Sequence, residues 1–190
     1  KLQLGPALSA DRIVDVTGNI VSPGFVDILA DNNSSNPAKT VPIFERYKVA
    51  DGVTTALQMH GGTANCAAYY ARPGGMAHRI HYGASTFVMG IRNQEAGLIE
   101  RLRSVERNLD QGALGVSHSL EYQPAPLGEM LEYARLARRY DRPFVLHLRY
   151  SSAERELDGV EEAIRLAEAS GVRVHIGHLH STGGTFHMEA

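Results

Sequence analysis

The feature that most constrains this chain is an alternation: short apolar or β-branched runs are separated by longer stretches whose apolar residues recur at helical spacing. Two parallel strands need a crossover long enough to carry the chain back over the sheet, and a helix is the usual solution. The order therefore predicts a parallel sheet covered by helices. Strands are expected near 24–29, 53–58, 80–88, 113–117, 143–147 and 172–177. Between them, Leu127, Met130, Leu131, Ala134, Leu136 and Ala137 fall largely on one side of a helix over 127–140. Val160, Ala163, Ile164 and Ala167 do the same over 159–171, with Gly171 as the C-terminal cap.

A closed eightfold barrel usually takes about 250 residues. This chain has 190, and its pattern reaches a sixth strand. The fold expected is thus α/β, a TIM-like (β/α) barrel over residues 23–190 that is truncated after about six strands. Residues 1–22 are expected to be a remnant of a small N-terminal β-sandwich, with a hairpin over 13–25 turning at Thr17, Gly18 and Asn19. An open doubly wound sheet fits the alternation almost as well. The softest stretch is 63–78. Two sheet edges left unpaired would be costly, which predicts an oligomer or a companion chain that completes the barrel.

Composition narrows the partners. The 19 basic and 21 acidic residues leave a formal charge of −2, so no overall field draws in nucleic acid or an anionic membrane surface. No apolar run approaches the roughly 20 residues that cross a bilayer. The lone Cys66 cannot form an internal disulfide and is expected to be buried, and a reducing cytoplasm is the expected compartment.

Sites on such a barrel gather where strands end and loops begin, at the C-terminal face. His147 closes the fifth expected strand and His178 the sixth. A single histidine there is more often a polar cap, but two at equivalent positions can point at one divalent ion, zinc before others. Glu121, just past the fourth strand, either adds a carboxylate to that shell or sits in solvent. His118 and His180 are expected to hydrogen-bond a ligand and fix its tautomer. Arg149 offers a planar fork to a substrate carboxylate, or forms a surface salt bridge. His60, in MHGG after the second strand, and Tyr122 are expected to contact substrate.

Four blocks in order, VSPGFVD at 21–27, DGVTT at 51–55, GALGVSHSLEYQP at 112–124, and the pair VLHLRY and HIGHLHSTGG, resemble the amidohydrolase superfamily. Within it they are most similar to the N-acyl-D-amino-acid deacylase branch. The resemblance spans nearly the whole chain and implies metal-binding histidines at His147 and His178. It implies a bridging or metal-binding carboxylate near Glu121, an arginine at the mouth at Arg149, and, close to His60, a position where that branch carries a metal-binding cysteine. It also implies that the last two barrel strands, and the aspartate near the eighth, are not in this sequence.

The sequence departs from the pattern at the first strand. The superfamily's His-x-His pair after PGFxD is replaced by Leu29 and Asp31. Leucine cannot bind a metal, whereas Asp31 can donate an oxygen, and Asn32 or Asn33 a carbonyl. Three readings follow, in this order. A single ion held by His147, His178 and Glu121 or Asp31 hydrolyses a linear or cyclic C–N bond in a small substrate with an amide or N-acyl group. Alternatively, the metal is lost and the barrel binds or assembles without catalysis. Third, Asp31 and His60 act as acid and base without metal. The run DNNSSNP is also what a simple helix-capping turn looks like. A nucleotide-binding sheet is the weakest alternative, because HSTGGTFH lacks the lysine and spacing of a phosphate loop.

Overall fold

The computed structural model describes residues 9, 11–30, 37–71, 78–182 and 184–187. Asp31, Asn32 and Asn33 lie outside the described residues, and with them the roles expected for Asp31 as ligand and as catalytic group. Six strands, β1 (Phe25–Asp27), β2 (Val53–Thr63), β3 (His81–Phe87), β4 (Val116–Ser119), β5 (Phe144–His147) and β6 (Val174–Ile176), pair in sequence order. Every pairing is parallel. The crossovers carry helices α1 (Pro37–Ala50), α2 (Cys66–Ala71), α3 (Val88–Arg92), α4 (Leu98–Asp110), α5 (Leu127–Arg139) and α6 (Glu156–Ser170), and α7 (Leu179–Thr182) follows β6.

The sheet curls. Neighbouring strands lie about 4.8 Å apart, so in a flat sheet β2 would be well beyond contact with β5. Yet β2 approaches β4 and β5 as well as its own neighbours. This is the barrel-type curvature the alternation predicts, and it excludes the open doubly wound alternative.

The two faces of the sheet differ. On β5, Phe144 and Leu146 point outward into the apolar layer between sheet and helices, where Val105, Met130, Tyr133 and Leu166 meet them. On β6, Val174 and Ile176 pack against the same layer. The inner face carries small or polar groups, among them Ser85, Ser117 and Gly177, beside the apolar Val145.

The helices present stripes slightly rotated from those expected. On α5, Met130, Tyr133, Ala134 and Ala137 are buried, and Leu127 stays at the margin. Tyr133 can go inside because its hydroxyl donates to Glu129 Oε1 at 2.9 Å. On α6, Glu156, Gly159, Ala163 and Leu166 form the stripe, leaving Ile164 exposed. Gly171 ends α6 at φ 68°, a left-handed cap that other residues adopt only at a cost.

The expected hairpin over 13–25 is not formed. The turn is present, with Asn19 N–H donating to Val16 O at 2.9 Å, but none of residues 11–24 is in a strand. Ile13, Val14, Ile20 and Val21 are exposed, so among the described residues a two-stranded ribbon here has no second layer to bury its apolar side and is marginal at best. Among the described residues, no helix is long and apolar enough to cross a membrane.

The layering predicts unequal responses to truncation. Phe144→Ala, in the outer core, should lower unfolding free energy by about 3–5 kcal/mol, and Ile20→Ala should change it by less than about 0.5 kcal/mol. Urea denaturation of the two variants checks this.

Candidate metal centre

Because every strand runs the same way, all six C-terminal ends lie on one rim. There His60, His147 and His178, from β2, the end of β5 and the turn after β6, each bring a ring nitrogen within 4.8 Å of the others. His147 is buried, and His60 and His178 are half-buried.

Each histidine is placed by a local irregularity or a strand end. His147 is the last residue of β5, directly opposite Ser119 of β4. His178 has a left-handed backbone at φ 40°, a conformation that costs a residue with a β-carbon about 1–3 kcal/mol and that surrounding contacts must enforce. Just before it, Gly177 N–H donates to Leu146 O at 2.9 Å, and just after it the chain turns into α7. A β-carbon on Gly177 would stand 3.1 Å from His60 Cδ2, so the glycine makes room for the His60 ring.

His60 itself lies within β2, which runs five residues further than the sequence predicts and is bulged there. Gln58 pairs with Ala84 and Thr63 with Thr86, so β2 carries extra residues between two points that β3 spans directly. Bulges re-aim side chains, and this one brings the His60 ring within 4.8 Å of the His178 ring centroid to centroid.

A hydrogen-bonded chain runs outward from the cluster. His147 Nδ1 lies 2.6 Å from His178 Nε2, and His147 Nε2 lies 2.7 Å from Glu121 Oε2. The other Glu121 oxygen accepts from the Ser151 hydroxyl at 2.5 Å. Hydrogen bonds from Ser151 and His147 hold the Glu121 carboxyl below its usual range. Burial, then the neighbouring His147, lowers the pKa of His178 and favours its neutral, ligating form. Tyr122, largely exposed, stacks on the His147 ring with centroids 4.7 Å apart and covers it.

The donor set suits a divalent cation. Three imidazoles, two from strands and one from the turn after β6, converge, and a carboxylate holds the far nitrogen of the most buried one, as in the carboxylate–histidine–metal arrangement. Glu121 is not in the three-residue cluster and meets it through His147. Beside the rings is a cavity of about 190 Å³, with Ile28, Leu29, Met59 and Val145 among its walls. Leu29, at the first-strand position where the resemblance expects histidine, thus faces the site with no donor atom.

Solved structures share this architecture. The crystal structure of D-aminoacylase described as defining a novel subset of amidohydrolases superposes with a TM-score of 0.71 at 20% identity. The chain has a D-aminoacylase-like fold. That superposition covers 90% of this chain and 45% of D-aminoacylase, so the chain spans less than half the length of the protein it matches. N-acyl-D-glutamate deacylase from Bordetella bronchiseptica, solved with zinc and a phosphonate inhibitor, superposes with a TM-score of 0.61 at 20% identity, over 80% of this chain and 39% of that one. No family model and no curated protein matches the sequence significantly.

Several expected site residues lie elsewhere. His118 follows Ser117 on β4, and since Ser117 faces the barrel interior, strand alternation turns His118 toward the helices. It is fully buried and bonded through Nε2 to Gln123 O at 2.8 Å, and it is not hydrogen-bonded to any member of the cluster. His180 is exposed on α7. The Arg149 guanidinium is taken up by both oxygens of Glu162, at 2.9 and 2.8 Å, and by Ala125 O at 2.6 Å. Past the end of β5 the extended alternation stops, and Arg149 turns to α6 rather than the mouth. Cys66 is fully buried, as expected, and burial pushes its thiol up to about 11.

His60 as the third member of the cluster, Ser151 on Glu121, and the inner hydroxyls Ser85 and Ser117 were not singled out as such in the sequence. Only the Gly61–Gly62 pair after His60 hinted at a bulge.

Burial holds the pKa of His118 down to about 4, against 6.5 when unhindered. The folded state therefore binds fewer protons than the unfolded one across this window. Its contribution is complete above pH 6.5 and is lost progressively down to about pH 4, up to about 3 kcal/mol. Urea denaturation as a function of pH should show this slope in the wild type and a flatter one in His118→Asn.

Proposed function

We propose that the chain holds one divalent metal ion, zinc before others, on His60, His147 and His178, and serves metal-dependent hydrolysis of a C–N bond in a small amide or N-acyl substrate. The observation that carries this reading is the convergence of three ring nitrogens, within 4.8 Å, at the C-terminal rim of a D-aminoacylase-like fold. Three histidines with an open position are a common catalytic zinc shell. The D-aminoacylase and N-acyl-D-glutamate deacylase structures support the class of reaction, and the second of them contains zinc.

When bound, such an ion supplies Lewis acidity, lowering the pKa of a water molecule to about 7 and polarising an amide carbonyl. The chain's own residues do the rest. His147 Nδ1 faces the cluster while its Nε2–H donates to Glu121, which fixes the tautomer and makes the ligating nitrogen more basic. Ser151 fixes Glu121 in turn. Leu29, Ile28 and Val145 exclude water from one side of the cavity and favour an apolar portion of the substrate. Leu29 also removes a donor from the first strand, which favours one ion over two. Glu121 is accordingly read as the orienting partner of a ligand, and His60 as a ligand rather than a substrate contact.

Metal analysis of the purified protein should find about one equivalent of zinc or a similar ion, given this donor set. His60→Ala, His147→Ala and His178→Ala should each abolish most of it, whereas His180→Ala and His187→Ala should leave it unchanged. A wild-type protein without metal, or equal losses from all five variants, would overturn the assignment.

A further inference from the structure

The bulge that carries His60 raises a physical difficulty. Backbone groups withdrawn from a strand ladder must find other partners. Two buried hydroxyls meet this need. Ser85 Oγ lies 2.9 Å from Met59 O and 3.3 Å from Gln58 O. Ser117 Oγ lies 3.3 Å from Gly61 O and 3.3 Å from Thr86 O, and the two hydroxyl oxygens are 2.8 Å apart. The carbonyl groups of Met59 and Gly61 bracket His60, one on each side.

We propose that Ser85 and Ser117 are positioning residues that hold this bulge, and through it the His60 ring, in place for the cluster. The inference rests on the metal site proposed above. Ser85 donates to Met59 O, its shorter carbonyl contact, and shares that proton with Ser117 Oγ, while Ser117 donates to Gly61 O and Thr86 O. Ser85 is then the closer grip, and Ser117 the second. Gly62 fits the same device. It has φ +71°, and a β-carbon there would stand 2.3 Å from Ser85 Oγ and 2.4 Å from Ser85 O, so the backbone of the bulge can reach Ser85 only because residue 62 is glycine. On the other side, the absent side chain of Gly177 leaves space for the ring. Thus the serines hold the backbone of His60 from inside the sheet, and a glycine just after β6 accommodates its imidazole.

The test compares the full chain as wild type, Ser85→Ala, Ser117→Ala and the control Val105→Ala, which truncates the helix-side core away from the bulge. Cobalt(II) is titrated in and followed by its visible ligand-field absorption, and the His60 ring is followed by NMR without metal. Ser85→Ala should weaken cobalt binding about 10- to 100-fold, the usual cost of removing a group that orients a ligand, and should change the band shape. Ser117→Ala should do the same to a smaller extent. Val105→Ala should lower the melting temperature while leaving affinity and band shape unchanged. If Ser85→Ala does not fold, Ser117→Ala carries the comparison. Cobalt affinity and spectrum unchanged in the serine variants, with a wild type that binds cobalt, would overturn the inference and leave the metal site standing. A wild type that takes up no cobalt overturns the metal site, and the NMR then decides: displaced His60 ring resonances in the serine variants uphold the grip, and unmoved ones refute it.

Discussion

Everything in this structure depends on six consecutive strands pairing in parallel and in order. Parallel pairing sends each crossover over the outer face as a helix, so the apolar mass gathers between sheet and helices around Phe144, Leu146, Met130 and Tyr133. It also sets all strand ends on one rim. Once the sheet curls, the end of β2 lies close to the end of β5, and histidines far apart in sequence become neighbours. With the outer core carrying most of the burial, the inner face can hold polar groups such as Ser85, Ser117 and His147 beside Val145.

The centre itself is a compromise between burial and polarity. A buried imidazole is tolerable when both nitrogens have partners, and His147 has His178 on one side and Glu121 on the other. Glu121 stays ionised because Ser151 and His147 both donate to it. The positive guanidinium that could have faced this centre, Arg149, is tied to Glu162 and Ala125, so the described rim beside the rings is aromatic and aliphatic, with Tyr122, Ile28 and Leu29. That balance suits a neutral or apolar portion of a ligand better than a second anion.

Much of the fold could be read from the chain because it is encoded locally. The spacing of Met130, Ala134 and Ala137 makes a helix wherever it occurs, and Gly171 ends one for steric reasons that need no tertiary context. His147 and His178 could be picked out for the same reason: each stands at the end of a run that reads as strand, and parallel order puts such ends together. Failures of the reading came where position depended on something outside the segment. Among the described residues, no layer covers the apolar side that a 13–25 hairpin would have. His118 was turned away by a one-residue alternation that only the register of β4 could fix.

His60 shows the division most plainly. Sequence by itself determined that a strand precedes it, that Gly61 and Gly62 follow, and that the family resemblance places a metal ligand nearby. Only the tertiary structure decided that the strand continues past it through a bulge, since the pairing of Gln58 with Ala84 and of Thr63 with Thr86 belongs to two strands at once. Register is a relation between segments, set by the curl of the whole sheet and by hydroxyls on β3 and β4. No property of the residues around His60 specifies it.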